Sequence, residues 1–201
     1  MTTPKQLSKR ERNLSDIRDR AIPVAERIVL DEGVEALSAR RLAREIGISV
    51  GSLYNAFGDL DAVVSAVISK SARLMSDVLR TAAEAPGGDR LQKVIAIGEA
   101  YLGFALENPM RWWLLFEFRP NLTLDERARA YQMGLLDMLI TVGEGNPKSD
   151  THRQFFLMLW ASVHGLVSLA CRPTIVAIEP EVARRFLSEM VISGFERFPP
   201  E

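Results

Sequence analysis

The chain has 201 residues, 47% of them hydrophobic and 25% charged, and its net charge is −1. These values describe a globular protein with a sizeable core and exclude a wholly disordered or collagen-like chain. A single cysteine, Cys171, excludes a disulfide framework and suits a reducing, cytoplasmic setting, and no unbroken apolar run approaches about 20 residues, so neither a membrane span nor a secretory leader is expected.

Residues 1–14 are polar and basic and are expected to form a flexible arm. Residues 1–20 hold six Lys or Arg against three acids, and residues 38–57 hold Arg40, Arg41 and Arg44 against Glu45. A near-neutral protein with a basic N-terminal portion can bind a polyanion through that portion alone; the alternative is a solvated helix face. From Asp16, the residues Ile17, Ala21, Val24, Ala25 and Ile28 fall at helical spacing. Pro23 predicts a kink or a helix start there, and Gly33 a stop. Ser38 offers an N-cap for a short helix to Ile46, ended by Gly47, and Ser49 caps another through about Phe57. A long amphipathic helix follows Gly58-Asp59 and runs to about residue 84. It carries Leu60, Val63, Val64, Val67, Ile68, Leu74, Met75 and Val78 on one side.

Ala85-Pro86-Gly87-Gly88-Asp89 is the clearest break. Beyond it the pattern predicts a helix over 91–106, stopped by Asn108-Pro109, and a short aromatic one over 110–118. Thr123 and Glu126 read as a capping box opening a helix to about Val142, and Thr151 and Gln154 as another opening a helix to Cys171. Pro180 sits at the first position of a last helix, which ends before Pro199. Alternation over 174–178 is too short for a strand. The fold class is all-α with about nine helices. The expected domains are the arm 1–14, a first helical domain 15–60 and a second domain 61–201, with the linking helix over 60–84.

Three helices in the first 57 residues, the last two short and joined by Gly47-Ile48, have a helix-turn-helix layout. Leu42, Ala43, Ile46, Ile48, Leu53 and Phe57 supply its small core. The second helix of such a pair lies in the DNA major groove and offers its first residues to base edges. Ser49, Gly51 and Ser52 are small enough for close approach, and the Tyr54 hydroxyl can reach a phosphate.

SARRLAREIGISVGSLYNAFGDLDAVVSAV resembles the helix-turn-helix signature of the TetR family of transcriptional regulators, and the likeness extends over about residues 16–80. Gly47, Ile48, Ser49, Gly51, Leu53, Tyr54 and Phe57 carry it. The resemblance implies a homodimer on a near-palindromic operator in double-stranded DNA. By position, Ser38, Ser49 and Tyr54 would touch the backbone, and Arg40, Arg41, Val50, Ser52 and Asn55 base edges or nearby phosphates. This chain departs from the family at Ala56, where His or Tyr is frequent, and at Leu60, where Lys is usual. Both are common phosphate contacts. The arm, through Lys5, Lys9, Arg10 and Arg12, could compensate.

The second half resembles the TetR type carrying Trp, then His-Gly, on one helix, here Trp160 with His164-Gly165. Tyr101, Arg111, Trp112, Trp113, Phe116, Phe156, Trp160 and His164 are the candidate ligand residues. They are apolar or aromatic with a few polar handles, as small-molecule sites are. The competing reading for each is plain core. The family implies that the last two helices pair with their symmetry mates, with Gly165, Ser168, Ser193 and Gly194 as close-approach points. The expected function is a ligand-responsive regulator, most plainly a repressor, with no cofactor, no metal and no catalysis. The alternatives are a DNA binder without an effector and, remotely, a metal-dependent enzyme using His152, His164 and Cys171.

Overall fold

The computed structural model describes residues 8–118, 126–171 and 177–197. Among them all nine regular helices longer than one turn are α-helices and no strand occurs. They divide into two compact units, residues 8–70 and the remainder.

In the first unit, α1 (Lys9–Glu32) is followed by a 3-10 turn (Val34–Ala36), α2 (Ala39–Glu45), α3 (Val50–Phe57) and the start of α4 (Leu60–Ala83). The helix α1 begins earlier than the charge pattern suggested. The Ser8 hydroxyl accepts from the Glu11 amide at 3.2 Å and the Glu11 carboxylate accepts from the Ser8 amide at 2.7 Å, a complete capping box. Residues 9–14 are therefore helix, not arm, while Lys5 lies outside the described residues. Pro23 neither starts nor stops α1. Ile17, Ala21, Ala25, Ile28 and Val29 form one buried face on both sides of it, and that packing outweighs the lost backbone bond. Gly33, at φ 92°, ends the helix.

The short helices are held at both ends. Ser38 accepts from the Arg41 amide at 3.3 Å, and Ser49 from the Ser52 amide at 3.1 Å. At the other ends, Arg18 Nε donates to the Ala56 carbonyl at 2.7 Å and Arg20 donates to the Ile46 carbonyl. These are carbonyls that α3 and α2 leave without intrahelical partners, where a cation also suits the helix dipole. Two of the six basic residues in the first twenty thus serve the fold. Leu42, Ala43, Ile46, Leu53 and Ala56 are buried beneath α1.

The second unit holds the rest of α4, then α5 (Arg90–Glu107), α6 (Pro109–Phe116), α7 (Glu126–Val142), α8 (Asp150–Cys171) and α9 (Pro180–Phe195). Asp89 and Gln92 cap α5 reciprocally, and Pro109 takes the first position of α6. Ser149, not Thr151, caps α8, its hydroxyl accepting from the His152 amide at 3.4 Å. Thr123, Thr174 and Pro199 lie outside the described residues. Trp112, Leu102, Ile140, Phe156 and Leu187 form the centre of the core. Two glycines permit close packing: a Cβ on Gly98 would come within 2.9 Å of Leu187, and one on Gly143 within 2.3 Å of Phe156.

Among the described residues α8 alone is long and apolar enough to suit a membrane. Its apolar run is not unbroken, since His152, Arg153 and His164 interrupt it. Phe155, Phe156, Leu159, Val163, Leu166 and Val167 are buried on its inner face, which makes it a core helix of this unit.

Candidate nucleic-acid interface and aromatic cluster

Along α3 the inward residues are Leu53 and Ala56, while Gly51, Tyr54 and Asn55 are exposed and Val50 and Ser52 half-buried. Tyr54 is 44% exposed, unusual for an apolar ring with no packing role. Gly51 has no internal justification. Its φ is not left-handed, and a Cβ there would meet only the Ser49 hydroxyl, at 3.8 Å. An exposed glycine inside a helix costs up to about 1 kcal/mol relative to alanine. Gly51 is the second residue of α3, and nothing packed around it requires a glycine.

The basic residues of α2 separate into two kinds. Arg41 turns inward: its Nη1 donates to Glu32 of α1 at 2.8 Å and its Nε to Glu45 at 3.0 Å, and Arg27 also pairs with Glu45. The Arg41 hydrogen bonds hold both carboxyls below the usual carboxylate range. This arginine is committed to joining α1 to α2, which counts against the base-reading role expected for it. Arg40 and Arg44 are exposed and have no ion pair among the described residues. They lie one turn apart on one face, ready for phosphate. Arg44 joins Arg40 as an exposed cation on this face, at a spacing visible in the sequence. Lys9 and Arg10 are exposed in the first turn of α1.

The two departures from the signature also differ. Ala56 is 2% exposed, so its side chain belongs to the core and offers nothing to a phosphate. Leu60, the first residue of α4, is half-buried.

In the second unit, five of the eight candidate ligand residues converge. Trp112 Nε1 donates to the Tyr101 hydroxyl at 3.1 Å, and that hydroxyl lies 2.7 Å from His164 Nδ1. The imidazole stacks on Trp112 and on Trp160 with centroids 5.4 and 5.1 Å apart, and Phe116 approaches it at 4.9 Å. Desolvation lowers the His164 pKa, opposed by the charge of Glu117, and burial pushes the Tyr101 phenol well up. Both groups are neutral near pH 7.

The other three candidates go elsewhere. Phe156 packs with Phe155 and Phe195 as core, and Trp113 pairs with Phe118. Arg111 donates to Ser71 at 3.2 Å. Composition identified an aromatic set but could not sort it by face. His152 is fully buried and accepts from the Asn146 amide at 2.8 Å, so it serves the loop before α8. Among the described residues no three His, Cys, Asp or Glu side chains gather as metal ligands.

A large exposed apolar set remains on α8 and α9: Leu157, Met158, Trp160, Phe186 and Ile192. A Cβ added at Gly194 would meet Leu159 of α8 at 3.5 Å, whereas one at Gly165 would meet nothing within 4 Å.

Comparison with known proteins agrees with this division. A family model described as bacterial regulatory proteins, tetR family, matches residues 22–67, and one described as tetracyclin repressor-like, C-terminal domain, matches residues 94–191. The second description names no Trp/His-Gly type, and that likeness stays a resemblance. HTH-type transcriptional regulators of Mycobacterium bovis and Mycobacterium tuberculosis are 28% identical over 112 residues, 55% of this chain. The match spans about half the length of those relatives, 48%. A TetR-family transcriptional regulator from Streptomyces coelicolor superposes with a TM-score of 0.61 at 21% identity, covering 93% of this chain and 99% of that one. A protein of unknown function from Rhodococcus sp. RHA1 superposes with a TM-score of 0.72 at 21% identity, covering 96% and 98%. These likenesses speak for the fold, and the two matched segments, one over the helix-turn-helix and one over the helical second unit, carry the assignment: the chain belongs to the TetR family of transcriptional regulators.

Proposed function

We propose that the chain binds double-stranded DNA at a near-palindromic operator as a homodimer, each copy laying α3 in a major groove, and so represses transcription. The observation that carries this is Gly51: an exposed glycine in the first turn of α3 that the fold does not require, beside exposed Tyr54 and Asn55. A groove wall pressed against α3 supplies the missing reason. Ser38, Ser49 and Tyr54 would meet the backbone; Arg40 and Arg44 would meet phosphates; Val50, Ser52 and Asn55 would face base edges. Cytoplasmic operation follows from DNA as the partner.

Dimer formation through α8 and α9 is supported by their exposed apolar side chains. A small apolar or aromatic effector would act at Tyr101, Trp112, Phe116, Trp160 and His164. It would shift DNA binding only through different affinities for two arrangements of the dimer.

Selection of random duplex DNA by the purified protein, at low and moderate salt, tests the reading. An inverted repeat with half-sites one helical turn apart, about 34–36 Å, is the expected outcome. Tyr54→Phe should weaken all sequences about evenly, and Asn55→Ala should alter sequence preference. Recovery of unrelated sequences at both salts would sink the operator claim.

A further inference from the structure

The hydrogen bonds of the aromatic cluster run in one direction only. An indole N–H can donate and never accept, so Trp112 fixes the Tyr101 oxygen as an acceptor, at 3.1 Å. The single phenol proton then has one place to go, His164 Nδ1 at 2.7 Å. The reverse arrangement, with Nδ1 donating, would leave the Tyr101 proton without a partner on a side chain that is 4% exposed, a costly state for a buried donor. His164 is therefore the neutral imidazole that carries its proton on Nε2. This nitrogen has no hydrogen-bond partner among the described residues. Flanking it are the two indoles, Trp112 fully buried and Trp160 38% exposed, with Phe116 against the ring. The imidazole lies against both indoles and Phe116, and of these neighbours Trp160 is the exposed one.

We propose that His164 Nε2–H is the polar anchor of the effector site, and that it selects a planar, uncharged aromatic ligand bearing a hydrogen-bond acceptor such as a ketone carbonyl. This rests on the reading of the cluster as an effector site. A carboxylate is disfavoured because it would draw a second proton onto the imidazole and displace the Tyr101 hydrogen bond.

Full-length protein tests this in two steps. Nitrogen-15 spectra of histidine-labelled protein near pH 7 should show a pyrrole-type Nε2 and a pyridine-type Nδ1 for His164; the opposite tautomer overturns the proposal. Binding is then followed by tryptophan fluorescence with two probes of matched shape, 2-acetylnaphthalene and 2-ethylnaphthalene. The ketone should bind about tenfold more tightly, the worth of one hydrogen bond in a desolvated site. In Tyr101→Phe, which frees the tautomer, that preference should shrink while 2-ethylnaphthalene still binds. Equal affinities in the parent protein overturn the acceptor selection and leave the effector site standing. Binding of neither probe removes the effector site and this proposal together.

Discussion

Replacing Gly51 by alanine adds a methyl group whose one neighbour within 4 Å is the Ser49 hydroxyl, at 3.8 Å. Thermal melting should therefore show Gly51→Ala stabilised, by up to about 1 kcal/mol, while anisotropy titration shows weaker operator binding. A loss of stability would mean that the glycine serves the fold after all. Arg40→Ala and Arg44→Ala should leave the melting temperature unchanged and reduce the slope of log affinity against log salt by about one each. Arg41→Ala should instead lower the melting temperature, because Glu32 and Glu45 lose their shared partner. That division was only half legible. Three arginines in a row of seven residues are visible in the sequence, but which one turns inward depends on where α1 brings Glu32. At His164 the sign of the pH effect follows from burial. Unfolded, the imidazole takes its proton near its ordinary 6.5; folded, desolvation lowers that value. As pH falls, the unfolded state binds the proton first, so stability declines from about pH 6.5 downward and levels off once the folded state is also protonated. Urea unfolding midpoints across that range should show the decline, and His164→Gln should flatten it.

Helix ends were the most readable elements, because a cap is a contact between residues three apart. Ser38 and Ser49 are identified from their neighbours alone, whereas Asp89 reads only as part of the break before α5. Ser8 and Glu11 obey the same rule, yet their charged surroundings suggest an arm; the capping box makes residues 9–14 the first turns of α1. An arm deletion should stop at residue 7, since removing 1–14 also removes this cap. Face assignment was less readable. Phe156 and Trp160 sit four residues apart on α8, one buried against Phe155 and Phe195 and the other stacked on His164. The packing of α9 and of the junction after α7 decides between them. The junction after α7 is similarly hidden: Gly143 looks like a loop residue, but Phe156 occupies the space a side chain would need. Gly143→Ala should destabilise by about 1–3 kcal/mol through overpacking, measured by denaturant unfolding.

At the scale of the molecule, the exposed apolar residues on α8 and α9 predict a protein whose stability rises with its own concentration. Met158 is 64% exposed and Ile192 43%. Met158→Glu with Ile192→Glu should sediment as a monomer and bind a full inverted repeat no better than a half-site; a dimer surviving both changes would place the interface elsewhere. The fixing of α2 and α3 from behind by Arg18 and Arg20 has a consequence for engineering. Those two guanidinium groups grip main-chain carbonyls at Ala56 and Ile46, which every amino acid provides. The side chains of Val50, Ser52 and Asn55, which the proposed function sets against base edges, take no part in that grip. On that proposal, sequence preference can be rewritten at these three positions as interchangeable lettering, with Gly51, Leu53, Tyr54, Ala56 and the serine cap kept as the mount.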